Sequence, residues 1–163
     1  MKTFASWTII SVIKADKAPH IPMLDAKAKF EKELIASGLN YVIYRPTGYF
    51  YDIIKVFKPM ILKGEVTLLG KKPIHANVIS TEDFAKFIVL HMADDKATYN
   101  VGGKETYSYE ELATLCFEAT GKPVVIKRAP AVLFDVLEFI NKVKKTGKDG
   151  VLALHKNGIA QPK

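Results

Sequence analysis

The feature that most constrains this chain is an alternation near its start. An apolar run at residues 4–13, "FASWTIISVI", is followed by a helical pattern from Met23 and then by a second β-type run, "YVIY" at 41–44. The first run is nearly continuous in Ile, Val and Trp, as expected of a strand covered on both faces. "KADKAPHIP" is a loop broken by Pro19 and Pro22, and "SGLN" closes the helix with Gly38 placed for a left-handed cap. Strand, helix and strand with a crossover of this length form a parallel β-α-β unit. The expected fold class is therefore α/β, built on a parallel sheet.

The rest of the chain keeps the alternation. "FYDIIKVFKPMILKG" predicts a helix interrupted or bent near Pro59, and "EVTLLG" and "IHANVIS" predict short strands. Ser80, with Asp83 three residues on, opens the helix "TEDFAKFIVLHMA". "TYNVGG" is a strand, Ser108 and Glu111 make a capping box for "YEELATLCFEATG", and "PVVIKRAP" is a last strand before the apolar helical stretch "AVLFDVLEFINKVKK".

The helix from Met23 holds an anomaly. Wound at about 100° per residue, Leu24, Ala28, Phe30, Leu34 and Ile35 share one face, with Lys27 and Glu31 in its middle. Two charges four residues apart on a covered face are either a buried pair that fixes packing or groups aimed at a crevice. Ligands of open parallel sheets bind beyond the carboxyl ends of the strands. Ser11, at the end of the first strand, and the Arg45-Pro46-Thr47-Gly48 turn, at the end of the second, lie on that rim with Lys27. Arg45 reads as a structural charge at a strand end, and Glu31 as its partner or that of Lys27.

Composition excludes several classes of function. A chain of 163 residues suits one domain, and no apolar run approaches the ~20 residues of a membrane span. The formal charge is +7, of which residues 141–163 carry +5, so a solvated lysine tail explains the basicity better than a nucleic-acid site. The four histidines are scattered without metal-ligand spacing, and no metal site is expected. The single Cys116 lies among apolar residues at helical spacing. It offers no disulfide framework, which favours a reducing, cytoplasmic setting.

The stretch "IISVIKAD…MLDAKAKFEKELIASGLNYVIYRPTGYFYD" resembles the second half of atypical short-chain dehydrogenase/reductase proteins, the NmrA-like, NAD(P)-binding group. "VISTEDFAKFIV" and "YNVGGKETYSYEELATLCFEATGKP" are similar to later segments of the same family, in the same order. The resemblance implies a partial Rossmann-like doubly wound parallel sheet with the C-terminal α/β substrate-side elements, and an NAD(P)-dependent oxidoreductase-like protein acting on a small carbonyl-type substrate, with NADP or NAD as cofactor. It implies that Lys27 binds the nicotinamide ribose, that Ser11 orients the substrate, and that Pro46, Thr47 and Gly48 flank the cofactor. The family's proton-transferring tyrosine falls at Met23, which has no proton to give. The alternative function is a non-enzymatic nucleotide-sensing or protein-binding module.

The family's glycine-rich pyrophosphate turn has no counterpart, since the chain contains no G-x-G-x-x-G or G-x-x-G-x-x-G. The sequence is thus expected to be a truncated member: residues 1–140 a shortened NAD(P)-binding domain with its substrate-side segment, and residues 141–163 a basic tail. A first strand without a neighbour would expose an apolar sheet edge. Self-association, most simply a two-fold dimer, is the expected cover.

Overall fold

The computed structural model of the chain describes residues 6–70 and 72–130. The predicted helix at 131–145 and the basic tail at 141–163 lie outside the described residues. The α/β expectation holds: a parallel sheet of order β1-β2-β5 is built from β1 (Ser6–Ile10), β2 (Asn40–Pro46) and β5 (Ala97–Val101). The first crossover is α1 (Pro22–Ala36), which begins with proline in its first turn and ends before Gly38 at φ 74°.

Between β2 and β5 the chain leaves the sheet. It forms α2 (Phe50–Leu62), β3 (Val66–Leu69) and β4 (His75–Ala76), then returns through α3 (Thr81–His91). After β5 come β6 (Tyr107–Ser108), α4 (Tyr109–Ala119) and β7 (Ile126–Ala129). The predicted caps form: Ser80 accepts from the Asp83 N–H, and Ser108 and Glu111 make a complete capping box. Helix α2 is not interrupted at Pro59. The proline lies in the last turns on the exposed side, where only one helical bond is forfeited and water reaches the freed carbonyl.

Two cores result. One packs Val42 and Tyr44 of the sheet against Ile79, Phe84 and Val101, with Phe84 contributed by α3. The other joins Phe57 and Ile61 of α2, Val66 and Leu68 of β3, and Leu112, Ala113 and Phe117 of α4 into a separate lobe. The lobe's strands pair parallel (β3 with β7) and antiparallel (β4 with β6).

Helix α1 departs from the predicted stripe. Leu24, Glu31 and Leu34 are buried, whereas Phe30 is 51% and Ile35 47% exposed. The cause is topological: among the described residues β1 is paired on one side only, and the part of α1 that reaches past it covers none of them.

Candidate functional site

The carboxyl ends of β1 and β2 bring Ser11 and the 46–48 turn together. The Ser11 N–H donates to the Tyr44 carbonyl at 2.7 Å and the Ile13 N–H to the Pro46 carbonyl at 3.1 Å, so the two strand ends are locked in register. Helix α1 lays Lys27 over the same rim, where its ammonium donates to the Ile10 carbonyl at 2.9 Å. Ser11, Lys27, Ile9, Ile10, Ala26 and Phe30 line a cavity of about 290 Å³.

Ser11 is 5% exposed, and its Oγ has no hydrogen-bond partner among the described residues. A buried hydroxyl left this way costs free energy on the order of 1–3 kcal/mol, an expense that ligand-binding sites carry. Lys27 spends one of its three donors on Ile10, leaving two for a ligand.

Lys27 and Glu31 do not pair. Glu31 turns instead to Arg45, whose Nε and Nη2 reach its carboxylate at 3.1 and 2.5 Å. The second charge on the helix face is therefore architecture that fixes α1 to β2, and the first stands at the cavity. Met23, one turn before Lys27 on the same face, is 42% exposed.

The 46–48 turn is positioned by groups that sequence reasoning did not single out. Thr47 is buried; its N–H donates to the Val101 carbonyl at 2.9 Å and its hydroxyl donates to the Asn77 carbonyl. The Gly48 carbonyl accepts from the Ile79 N–H at 2.9 Å. Buried Asn77 in turn donates through Nδ2 to the Gly103 and Glu105 carbonyls, at 2.9 and 2.7 Å. A Cβ on Gly102 would lie 2.0 Å from Asn77 Oδ1, and one on Gly103 2.1 Å from the Val78 carbonyl oxygen. The one signal in the sequence was the Gly102-Gly103 pair, which marks a close approach of other chain atoms. Asn77 itself had none.

Neither nearby tyrosine replaces the group absent at Met23. Tyr49 packs against Phe84, on the face opposite α1, and burial followed by the nearby Asp52 raises its pKa. Tyr51 is 63% exposed on α2. Far from the cavity, the Tyr99 hydroxyl at 2.5 Å and His91 Nδ1 at 3.0 Å hold the Asp94 carboxyl below its ordinary range. Among the described residues no group of His, Cys, Asp or Glu is arranged to hold a metal, and no helix is long and apolar enough to cross a membrane.

Comparison with known proteins agrees with this fold. The NmrA-like family matches residues 3–148. The photosystem II assembly factor Ycf39 of Guillardia theta is 26% identical over 137 residues, covering 82% of this chain and 44% of that protein. A nucleoside-diphosphate-sugar epimerase of Staphylococcus aureus superposes with a TM-score of 0.75 at 16% identity, over 98% of this chain and 58% of that one. An NADPH-dependent quinone oxidoreductase of Escherichia coli, complexed with NADPH, superposes with a TM-score of 0.72 at 19% identity, over 95% and 55% of the two chains. The chain spans less than half the length of the curated relatives it matches.

Proposed function

Because this chain belongs to the NmrA-like family, we propose that it binds NADP or NAD at the rim of β1 and β2, and uses the nucleotide as a ligand rather than in proton-coupled turnover. The observation that carries this reading is Ser11 Oγ, buried and without a partner among the described residues, beside Lys27 in one cavity. Lys27 would hold the hydroxyls of the nicotinamide ribose with its two remaining donors. Ser11 would hydrogen-bond the carboxamide or a small carbonyl compound, and the Pro46-Thr47-Gly48 turn would wall the crevice. A bound nicotinamide supplies a hydride donor or acceptor. Carbonyl reduction also needs a proton at the substrate oxygen, and the thioether of Met23 has none to give.

The fit is to the nicotinamide–ribose end. Lys27, Ser11 and the 46–48 turn are the groups of these residues that would meet the ribose and the ring. Met23 at the proton-donor position favours sensing or assembly over reduction, and the relatives that carry the name of an assembly factor are consistent with it. A reductase of quinones or other small carbonyl compounds is the competing reading.

Calorimetric titration of the chain with NADPH and NADH tests binding, and loss of NADPH absorbance with benzoquinone tests turnover. Saturable binding with no turnover above the uncatalysed rate is the expected result. Turnover that saturates in quinone would overturn the sensing reading, and absence of heat with either nucleotide would overturn binding.

A further inference from the structure

We infer that Asn77 is a positioning residue for the crevice, and that through its side chain a nucleotide bound at the rim displaces the loop at 103–106. The inference rests on the nucleotide reading and adds the route by which occupancy reaches another surface. The 46–48 turn and residues 77–79 are bound into one piece. The Thr47 hydroxyl donates to the Asn77 carbonyl, the Ile79 N–H donates to the Gly48 carbonyl at 2.9 Å, and the Phe50 N–H donates to the Ile79 carbonyl at 3.2 Å. Tyr49 and Ile79 add a parallel bridge. A shift of the turn is therefore carried into Asn77.

Asn77 hands it on. The residue is 6% exposed, and its Nδ2 donates to the Gly103 carbonyl at 2.9 Å and to the Glu105 carbonyl at 2.7 Å. A carbonyl can only accept, so these two contacts fix which end of the amide is nitrogen. Both N–H groups are spent on the loop, and Oδ1 is left beside Thr47 Oγ1 at 3.4 Å. The packing has no slack. A Cβ at Gly102 would fall 2.0 Å from Oδ1, and one at Gly103 2.1 Å from the Val78 carbonyl oxygen. Contacts this close transmit a displacement rather than absorb it.

The loop is suited to show the change. Lys104, Glu105 and Thr106 are exposed, and the chain runs on from them into the Ser108–Glu111 capping box that starts α4. A ligand that presses on the 46–48 turn thus alters a charged surface beyond the crevice, as a sensing protein requires. The coupling is reciprocal. Whatever holds the loop in its nucleotide-bound position raises nucleotide affinity by the factor with which the nucleotide favours that position.

Two backbone amides separate the steps when the isotope-labelled chain is titrated with NADPH and followed by NMR. The Ser11 amide, at the crevice, reports binding, and the Gly103 amide reports transmission. In the wild-type chain both signals should move along one saturation curve. In Asn77→Ala the Ser11 signal should still move at saturating nucleotide, and the Gly103 shift should be lost. A merely structural role for Asn77 would change both responses or neither. Should Asn77→Ala fail to fold, Asn77→Asp, which keeps the shape and turns the donor into an acceptor, should show the same split. A Gly103 amide that stays still while Ser11 moves, or that moves undiminished in the Asn77 variants, would overturn the inference and leave nucleotide binding standing. If neither signal moves, the nucleotide reading falls and this inference with it.

Discussion

The guanidinium of Arg45 grips the carboxylate of Glu31 through Nε and Nη2, joining the centre of α1 to the end of β2 across the sheet's rim. Glu31 is nearly buried, while about a third of Arg45 remains in water, so the pair is desolvated on one side only. Removing one partner strands the other. Glu31→Ala is expected to cost about 2–3 kcal/mol, below the full penalty for a buried pair because solvent screens Arg45. The double variant Glu31→Leu/Arg45→Met is expected to cost less than either single change. Urea unfolding of the three variants measures both statements.

That pairing also shows what the sequence disclosed and what it withheld. The 100° winding of α1 exposed two charges on a covered face, and the arginine ending "YVIYRP" was a visible candidate partner. Which acid went to which base depended on the crossover geometry, which periodicity does not contain. The same limit applies to Phe30: a helical wheel counts it as core, but only the sheet order reveals that α1 reaches past β1, the outermost strand among the described residues. Caps were legible because they are local, as at Ser80 and Ser108. Asn77 was not, because its carbonyl partners lie 26 and 28 residues away.

Lys27 is expected to separate binding from stability. Its ammonium makes one hydrogen bond to a backbone carbonyl at the mouth of the cavity, so Lys27→Met should lower stability by no more than about 1 kcal/mol. Loss of a charged donor to the ribose should weaken NADPH binding by about 1.5–3 kcal/mol. Calorimetry and urea unfolding on the same preparation compare the two, and unchanged affinity would remove Lys27 from the site.

The two glycines after β5 should differ in their tolerance of a methyl group. At Gly102 the obstacle is the Asn77 side chain, and at Gly103 it is the Val78 backbone carbonyl. Gly102→Ala is expected to cost roughly 1–3 kcal/mol, the range for overpacking, and Gly103→Ala more, because a backbone wall cannot turn aside. Thermal unfolding of the two variants should rank them in that order.

Burial pushes the Tyr109 phenol up to about 12. A raised value in the folded state leaves stability intact below pH 10, where the phenol is neutral in both states. Stability is then lost as pH rises from 10 towards 12, where only the unfolded chain ionises, by at most about 2–3 kcal/mol. Tyr109→Phe should flatten that decline relative to wild type, read as urea midpoints at pH 9 and pH 11.

The sheet and the lobe have separate cores, and at the rim the Thr47–Asn77–Gly103 chain of hydrogen bonds links them. Such a molecule behaves as two cooperative units coupled through a joint. The lobe closes only when β3 meets β7, whose paired residues Val66 and Ile126 are far apart along the chain, whereas β1, α1 and β2 form from neighbouring segments. Native-state amide exchange should then show two tiers of protection, with the lobe opening first. Because the joint holds the 46–48 turn, each opening of the lobe also releases one wall of the crevice, so ligand residence and local unfolding share a clock.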